Sequence, residues 1–141
     1  MTVIILDSDI LSLAHSAHKR VSQRLRDEPD PDIRTTVITR IELLRGRFDS
    51  VFKAATDTEL VRAQELLNRT EEMLSQHSIL LIDILSAQTF ARLLKVKGLR
   101  KIGRGDILIA SIALSRSATL ATRNIKDFSL VPGLKIVNWA D

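Results

Sequence analysis

Short apolar runs alternate along the chain with segments in which apolar residues recur at helical spacing. The runs are rich in β-branched and aliphatic residues and predict strands at 2–6, 33–39, 78–83, 118–122 and 134–139. The periodic segments predict helices at 9–27, 40–46, 57–76, 86–97 and 106–114. The acidic, proline-containing stretch 27–32 is expected to break the first helix, and Gly46 to end the second. This alternation predicts an α/β fold with a central parallel sheet flanked by helices.

Length and composition narrow the possible functions. The 141 residues fit one domain, which we take as 1–141. The chain has no cysteine, which excludes disulfides, thiolate metal sites and cysteine nucleophiles. We expect neither a signal peptide nor a membrane span, because no apolar run is long enough, and we expect a cytoplasmic location. The net charge of +4 favours a polyanionic partner only weakly.

Oxygen-bearing side chains stand where the predicted strands end. Asp7 follows the first strand, and Glu42 lies on the helix after the second. Asp106 opens the most apolar helix, and Asn124 and Asp127 follow the fourth strand. Ligands of parallel α/β sheets bind beyond the carboxyl ends of the strands. These five side chains are therefore expected to share one site.

A site of this composition suits a hard divalent cation. None of the three histidines has a partner at ligand spacing, so the available ligands are carboxylate and amide oxygens. Mg²⁺ and Mn²⁺ prefer such oxygens. Carboxylates held close together raise one another's pKa, and a cation removes that penalty. A bound cation can also activate a water and clamp a phosphate for displacement.

Each side chain also has a purely structural interpretation. Three of them could shape turns: Asp7, Asn124 and Asp127. Asp9 and Asp106 could be helix N-caps, and for Asp9 we favour that role. Glu42 could be a solvated helix residue, although its apolar neighbours argue for a partner. The functional interpretation depends on all of these residues together.

Four segments in this order resemble the PIN-domain ribonucleases, and most closely the VapC-type toxins of prokaryotic toxin–antitoxin pairs: ILDSDILSL, VITRIELLRG, IGRGDILIASIAL and LATRNIKDF. The similarity extends over the whole chain. It implies a PIN-like three-layer α/β sandwich and an Mg²⁺-dependent endoribonuclease, with Mn²⁺ as a substitute metal. The acids of the family fall on Asp7, Glu42 and Asp106, its fourth position falls on Asn124, and Asp127 is a further acid. The resemblance thus implies catalytic roles for the four acids, and metal ligation by Asp7, Glu42, Asp106 and Asn124.

A basic segment leads into Asp106 and is a candidate for RNA binding. Within 95–106, we expect Arg100, Lys101 and Arg104 to contact the phosphate backbone. A solvated basic surface is the plain alternative. The family often has Thr or Ser at the position of Ser8, which we therefore group with the substrate-binding residues, holding a water or a carboxylate.

The resemblance also implies partners. VapC-type proteins form homodimers and bind a small antitoxin near the active site, so we expect both here. An RNA-processing PIN nuclease without an antitoxin is one alternative, and a PIN-like fold that binds RNA or a protein without cleavage is another. A haloacid-dehalogenase-like phosphatase would use Asp7 as nucleophile and Asp9 as acid. That family has a further acid four residues after the aspartate of its Gly-Asp motif, and here that position is Ala110.

Overall fold

The computed structural model describes residues 2–29 and 31–141. Its strands are β1 (Thr2–Leu6), β2 (Pro31–Thr36), β3 (Ser78–Leu80), β4 (Thr119–Ala121) and β5 (Lys135–Val137). Its helices are α1 (Ser8–His15), α2 (Lys19–Asp27), α3 (Val37–Lys53), α4 (Asp57–Ser75), α5 (Ile84–Leu93), α6 (Arg104–Ser115) and α7 (Ile125–Phe128). A short 3₁₀ helix, Leu99–Lys101, lies between α5 and α6.

The five strands form one sheet in the order β3-β2-β1-β4-β5, and every neighbouring pair is parallel. Strand β1 is central and is buried on both faces. Ile5 packs into one apolar cluster with α5 and α6, whereas Ile4 and Leu6 pack into a second cluster with α1, α2 and Trp139. The two cores make three layers, which confirms the predicted α/β sandwich.

The predicted first helix is two helices. Ala17 has a positive φ of 58°, a conformation that ends α1. The His18 side chain then starts α2 by accepting a hydrogen bond from the Val21 N–H at 3.3 Å. Alanine carries no sequence signal for a left-handed residue, so the periodicity alone predicted one continuous helix.

The second strand and the helix after it are shifted relative to the prediction. The Thr36 hydroxyl accepts a hydrogen bond from the Thr39 N–H at 3.2 Å, so residues 37–39 are helical rather than extended. Helix α3 continues through Gly46, where a side chain would meet only open space, and ends at Lys53. Part of the predicted breaker 27–32 belongs to β2, and Asp30 lies outside the described residues.

The later elements keep their predicted order with shorter strands. Asp83 and Ser86 form a reciprocal cap that starts α5 at Ile84, so the third strand ends at Leu80.

Within residues 2–29 and 31–141, no helix has the length and apolar character needed to cross a membrane.

Candidate active site

The candidate site lies where the strand order reverses, between the carboxyl ends of β1 and β4. The Asp7 N–H donates to the Ala121 carbonyl at 3.2 Å, which fixes these two strand ends side by side. An Asp7 carboxylate oxygen accepts from the Ile10 N–H at 3.0 Å and caps α1. This corrects the prediction for Asp9, which is not the cap but an exposed residue in the first turn. Asp7 therefore begins α1 and faces the switch point, the usual ligand position of such sheets.

The Asp7 carboxyl has a perturbed acidity. Its pKa is raised, chiefly because burial disfavours the charged form, and the nearby Asp9 and Asp106 charges add to the effect. Hydrogen bonds from Thr122 and from the Ile10 N–H act in the opposite direction. Thr122 is fully buried, and its hydroxyl also accepts from the Asn124 N–H at 3.0 Å. The sequence interpretation missed Thr122, whose one signal is its position at the end of the predicted strand 118–122.

Asp106 lies in the first turn of α6, close to the end of β4. Gly103 is the N-cap of this helix, so Asp106 is not a cap. Asn124 Nδ2 donates to Asp106 at 3.4 Å and to Asp127 at 3.1 Å, which ties the two acids together. Burial raises the pKa of Asp106, and the Asp127 charge raises it further. Asp106, Asn124 and Asp127 therefore form one group, as the sequence predicted.

Glu42 reaches the same edge from α3. A Cβ added at Gly105 would lie 3.1 Å from Glu42 Oε2, so the carboxylate sits against the backbone of the first turn of α6. Burial and the Asp106 and Asp7 charges raise the pKa of Glu42, while Arg45 lowers it. Glycine at position 105 leaves the space that this close approach requires.

The charges of Asp7, Glu42 and Asp106 influence the acidity of the site, but the three carboxylates do not form a complete metal-binding group. The Asp106 charge raises the pKa of both Asp7 and Glu42, and the Asp7 charge also raises that of Glu42. Across residues 2–29 and 31–141, no three His, Asp or Glu side chains are close enough to form a complete metal-binding group. The donors are all oxygens of the kind that Mg²⁺ prefers, so their chemistry fits the ion.

The residues predicted to bind substrate lie on α1, on the 3₁₀ helix and at the start of α6. Ser8 is half-buried at the first position of α1. Arg100 and Lys101 are exposed on the 3₁₀ helix, and Arg104 is the first residue of α6. The Arg104 guanidinium lies over the Phe90 ring, 4.8 Å from its centroid. Phe90 is a contact that the sequence interpretation did not predict.

The fold and site define a parallel α/β sandwich with acids gathered at its switch point, an arrangement suited to hydrolysis. Comparison with known proteins identifies the family. The PIN domain family matches residues 4–134. Ribonuclease VapC1 of Haemophilus influenzae (strain R2866) is 34% identical over 121 residues, covering 86% of this chain and 82% of the relative. The chain belongs to the PIN-domain family and is similar within it to the VapC ribonucleases, which confirms the resemblance seen in the sequence.

Solved structures agree with this assignment. The structure of VapBC-1 from nontypeable Haemophilus influenzae superposes with a TM-score of 0.78 at 23% identity, covering 99% of this chain and 100% of that chain. DNA-bound VapBC from Salmonella typhimurium gives a TM-score of 0.78 at 22% identity, covering 99% of both chains. VapBC2 from Rickettsia felis, bound to a promoter DNA fragment, gives 0.74 at 26% identity over 98% of this chain and 99% of that chain. The PIN-like fold is therefore shared over the full length of the described chain.

Proposed function

We propose that this protein is an Mg²⁺-dependent endoribonuclease that acts as the toxin of a toxin–antitoxin pair. One observation carries the proposal. Three acids from three different elements, Asp7, Glu42 and Asp106, lie at the switch point, and the Asp106 charge raises the pKa of both Asp7 and Glu42. Carboxylates held in that state are stabilised by a divalent cation. The curated relatives are named as ribonucleases, which supports RNA as the substrate.

Each side chain of the site has a distinct role in this proposal. Asp7 and Asp106 hold the metal ion, with Glu42 as a further ligand or as the group that orients the attacking water. Asn124 completes the ligand set, and Asp127 adds negative charge behind Asp106. Mg²⁺, when bound, supplies the activation of water and the charge neutralisation that phosphodiester hydrolysis requires. Mn²⁺ has the same ligand preference and is expected to substitute.

The basic segment before α6 is the proposed contact for the RNA backbone. Arg100 and Lys101 are exposed on the 3₁₀ helix, three and two residues before the N-cap Gly103, respectively. Gly103 provides no side-chain cap, so the first N–H groups of α6 remain available for a phosphate oxygen. Ser8, beside Asp7, is placed to hold a water or a substrate oxygen. Alanine substitution of Arg100, Lys101 and Arg104 together is expected to weaken RNA binding and reduce its salt dependence.

Two exposed apolar patches support the proposed protein partners. Phe52 is 89% exposed at the end of α3, and Leu60 and Val61 at the start of α4 are also exposed. A second patch follows β3, with Ile84 70% exposed beside Leu81, Ile82 and Leu85. Such patches are typical of interaction surfaces. We propose that an antitoxin and a second copy of the chain cover them.

Light scattering at micromolar concentration tests the homodimer, and a strictly monomeric species would contradict it.

The enzymatic part of the proposal is tested by RNA cleavage with purified protein. Wild type is assayed with Mg²⁺ and with EDTA, and Asp7→Asn is assayed with Mg²⁺ after identical purification. The exposed Asp9→Asn provides the matched control. Cleavage by wild type and Asp9→Asn, but not by Asp7→Asn or in EDTA, is the expected result. Equal cleavage by wild type and Asp7→Asn after identical purification would show that the cleavage does not depend on this carboxylate and would contradict the proposal.

The toxin role requires a separate test in cells. Expression of the wild-type chain is expected to arrest growth, and co-expression of a small neighbouring antitoxin gene is expected to restore it. Cleavage without growth arrest, in a genome with no such neighbour, would instead favour an RNA-processing nuclease.

A further inference from the structure

A small pocket opens between the end of α5 and the start of α6. Its volume is about 220 Å³, and its floor is formed by buried side chains that include Leu93, Leu99 and Ile107. Its rim carries the exposed Leu94 and two arginines, Arg100 and Arg104. This pocket is smaller than the roughly 300–1,000 Å³ typical of sites for drug-sized ligands. It therefore suits one flat ring system rather than a whole nucleotide.

The pocket is adjacent to the acids but faces a different direction. Arg104 and Asp106 are the first and third residues of α6, so they are about 3 Å apart along the helix axis. Successive helical residues are rotated by about 100°, which turns Arg104 towards α5 and Asp106 towards Asn124. The pocket and the Asp106 side chain therefore lie on different sides of the first turn of α6, and a strand bound at Asp106 would reach the pocket by following that turn.

The Phe90–Arg104 contact gives the pocket a recognition surface. The central carbon of the Arg104 guanidinium lies over the Phe90 ring, 4.8 Å from its centroid, so this cation–π contact holds the guanidinium beside the pocket. Unstacked RNA bases bind on aromatic rings and on arginine planes of this kind. Neither rim nor floor contains an acidic residue, so the lining has no charge partner for a cationic ligand. The two arginines instead favour an anionic chain that carries an apolar ring.

We propose that the α5–α6 pocket binds one unstacked base of the RNA strand next to the cleaved phosphate. Arg104 stacks on the base, Leu94 and the apolar floor enclose it, and Arg100 pairs with the adjoining phosphate. This inference rests on the proposed ribonuclease function and extends it, because it adds a contact that depends on the base rather than on the backbone. Arg104 then has a role that a lysine of equal charge cannot fill.

Binding of two fluorescein-labelled RNA probes tests the proposal. One is hexauridylate, and the other is a hexamer of abasic ribose phosphates with the same charge. Both are titrated by fluorescence anisotropy with Mg²⁺ in an Asp7→Asn background, which prevents cleavage and preserves the α1 cap. The background is expected to bind hexauridylate at least about fivefold more tightly, since stacking on a protein side chain contributes about 1–3 kcal/mol per base.

Three variants added to this background separate base recognition from phosphate contact. Arg104→Lys keeps the charge and removes the plane, and Phe90→Leu removes the ring that holds the guanidinium. Both are expected to bring the two affinities towards equality while binding of the abasic probe stays within about twofold. Arg92→Lys, on an exposed residue two positions after Phe90, is the matched control and is expected to change neither affinity.

The contrary outcomes are distinct from failure of the ribonuclease proposal. Equal binding of both probes in the background, or an unchanged preference in Arg104→Lys, would overturn the base pocket and leave RNA binding intact. Failure to bind either probe would overturn both the pocket and the RNA-binding part of the proposed function. If Arg104→Lys keeps the preference for hexauridylate over the abasic probe and Leu94→Lys loses association with the antitoxin, the pocket would bind a protein side chain instead of a base.

Discussion

Replacing Asp7 with asparagine separates the structural role of this residue from its charge. Asparagine is as good an N-cap as aspartate, so the hydrogen bond from the Ile10 N–H is retained. What disappears is a buried negative charge near Asp9 and Asp106. Burial raises the pKa of Asp7, so the folded state holds this proton more tightly than the unfolded state does. Stability then falls as the pH rises from 3.8, the usual pKa, through the raised value.

The raised pKa of Asp7 determines whether each substitution raises or lowers the stability of the folded protein. At neutral pH without Mg²⁺, Asp7→Asn is expected to be more stable than wild type, and the difference is expected to vanish at a pH below 3.8, where both side chains are neutral. Asp7→Ala removes the same charge but also the cap, so it is expected to be about 1 kcal/mol less stable than Asp7→Asn. Wild type in Mg²⁺ at 100 times its Kd gains about 2.7 kcal/mol, whereas Asp7→Asn gains much less.

Thermal denaturation with and without Mg²⁺ measures these differences. At this chain length 1 kcal/mol corresponds to roughly 2–4 °C, so the expected Mg²⁺ shift for wild type is roughly 5–11 °C. Asp9→Asn is the matched control, and its shift is expected to equal that of wild type. Loss of a ligand that supplies several kcal/mol is expected to slow cleavage about 100-fold or more. An Mg²⁺ shift of Asp7→Asn equal to that of wild type would refute the assignment of Asp7 as a ligand.

Three further variants test other parts of the structure. Gly105→Ala places a methyl group 3.1 Å from Glu42 Oε2, so cleavage is expected to fall while thermal stability holds or rises by up to about 1 kcal/mol; unchanged cleavage would contradict this position of Glu42. Asn124→Asp adds a fifth acid to the site, so denaturation is expected to show lower stability without Mg²⁺ and a larger gain with it. The pKa of His77 is lowered below 6.5 by burial and by His15, whose Nε2 lies 2.7 Å from that of His77. Wild type is therefore expected to lose stability as the pH falls through 6.5 and the unfolded state takes up the proton, and His77→Gln is expected to lose this pH dependence.

The sequence predicted the location of the site better than its internal contacts. Strand-end positions in a parallel sheet converge by topology, so the order of the elements along the chain was enough to place Asp7, Asp106 and Asn124 at one edge. The pattern favoured Asp9 as the cap, and this was wrong, because Asp7 and Asp9 both lie between an apolar strand and an apolar helix and the cap is Asp7. The backbone conformation at the end of β1 makes Asp7 the N-cap.

Local sequence patterns could not predict the contacts between helices and strands. The Phe90–Arg104 contact depends on how α5 and α6 pack, and nothing in either segment alone specifies it. Thr122 resembles many other threonines in the chain until β4 is placed beside β1. The break at Ala17 is likewise invisible, because a left-handed alanine is rare and leaves the helical periodicity intact.

The hydrogen bond between Asp7 and Ala121 has a consequence for how the protein is made. Strand β1 ends at Leu6 and its neighbour β4 begins at Thr119, 113 residues later in the chain. At about 5–20 residues per second, ribosomes take about 6–23 seconds to cover that distance. During this interval β1 has only one of its two flanking strands, and for most of it Asp106 has not been added. The nascent chain thus cannot assemble its carboxylates until β4 has been made, which delays any activity of those residues towards RNA until that point in synthesis.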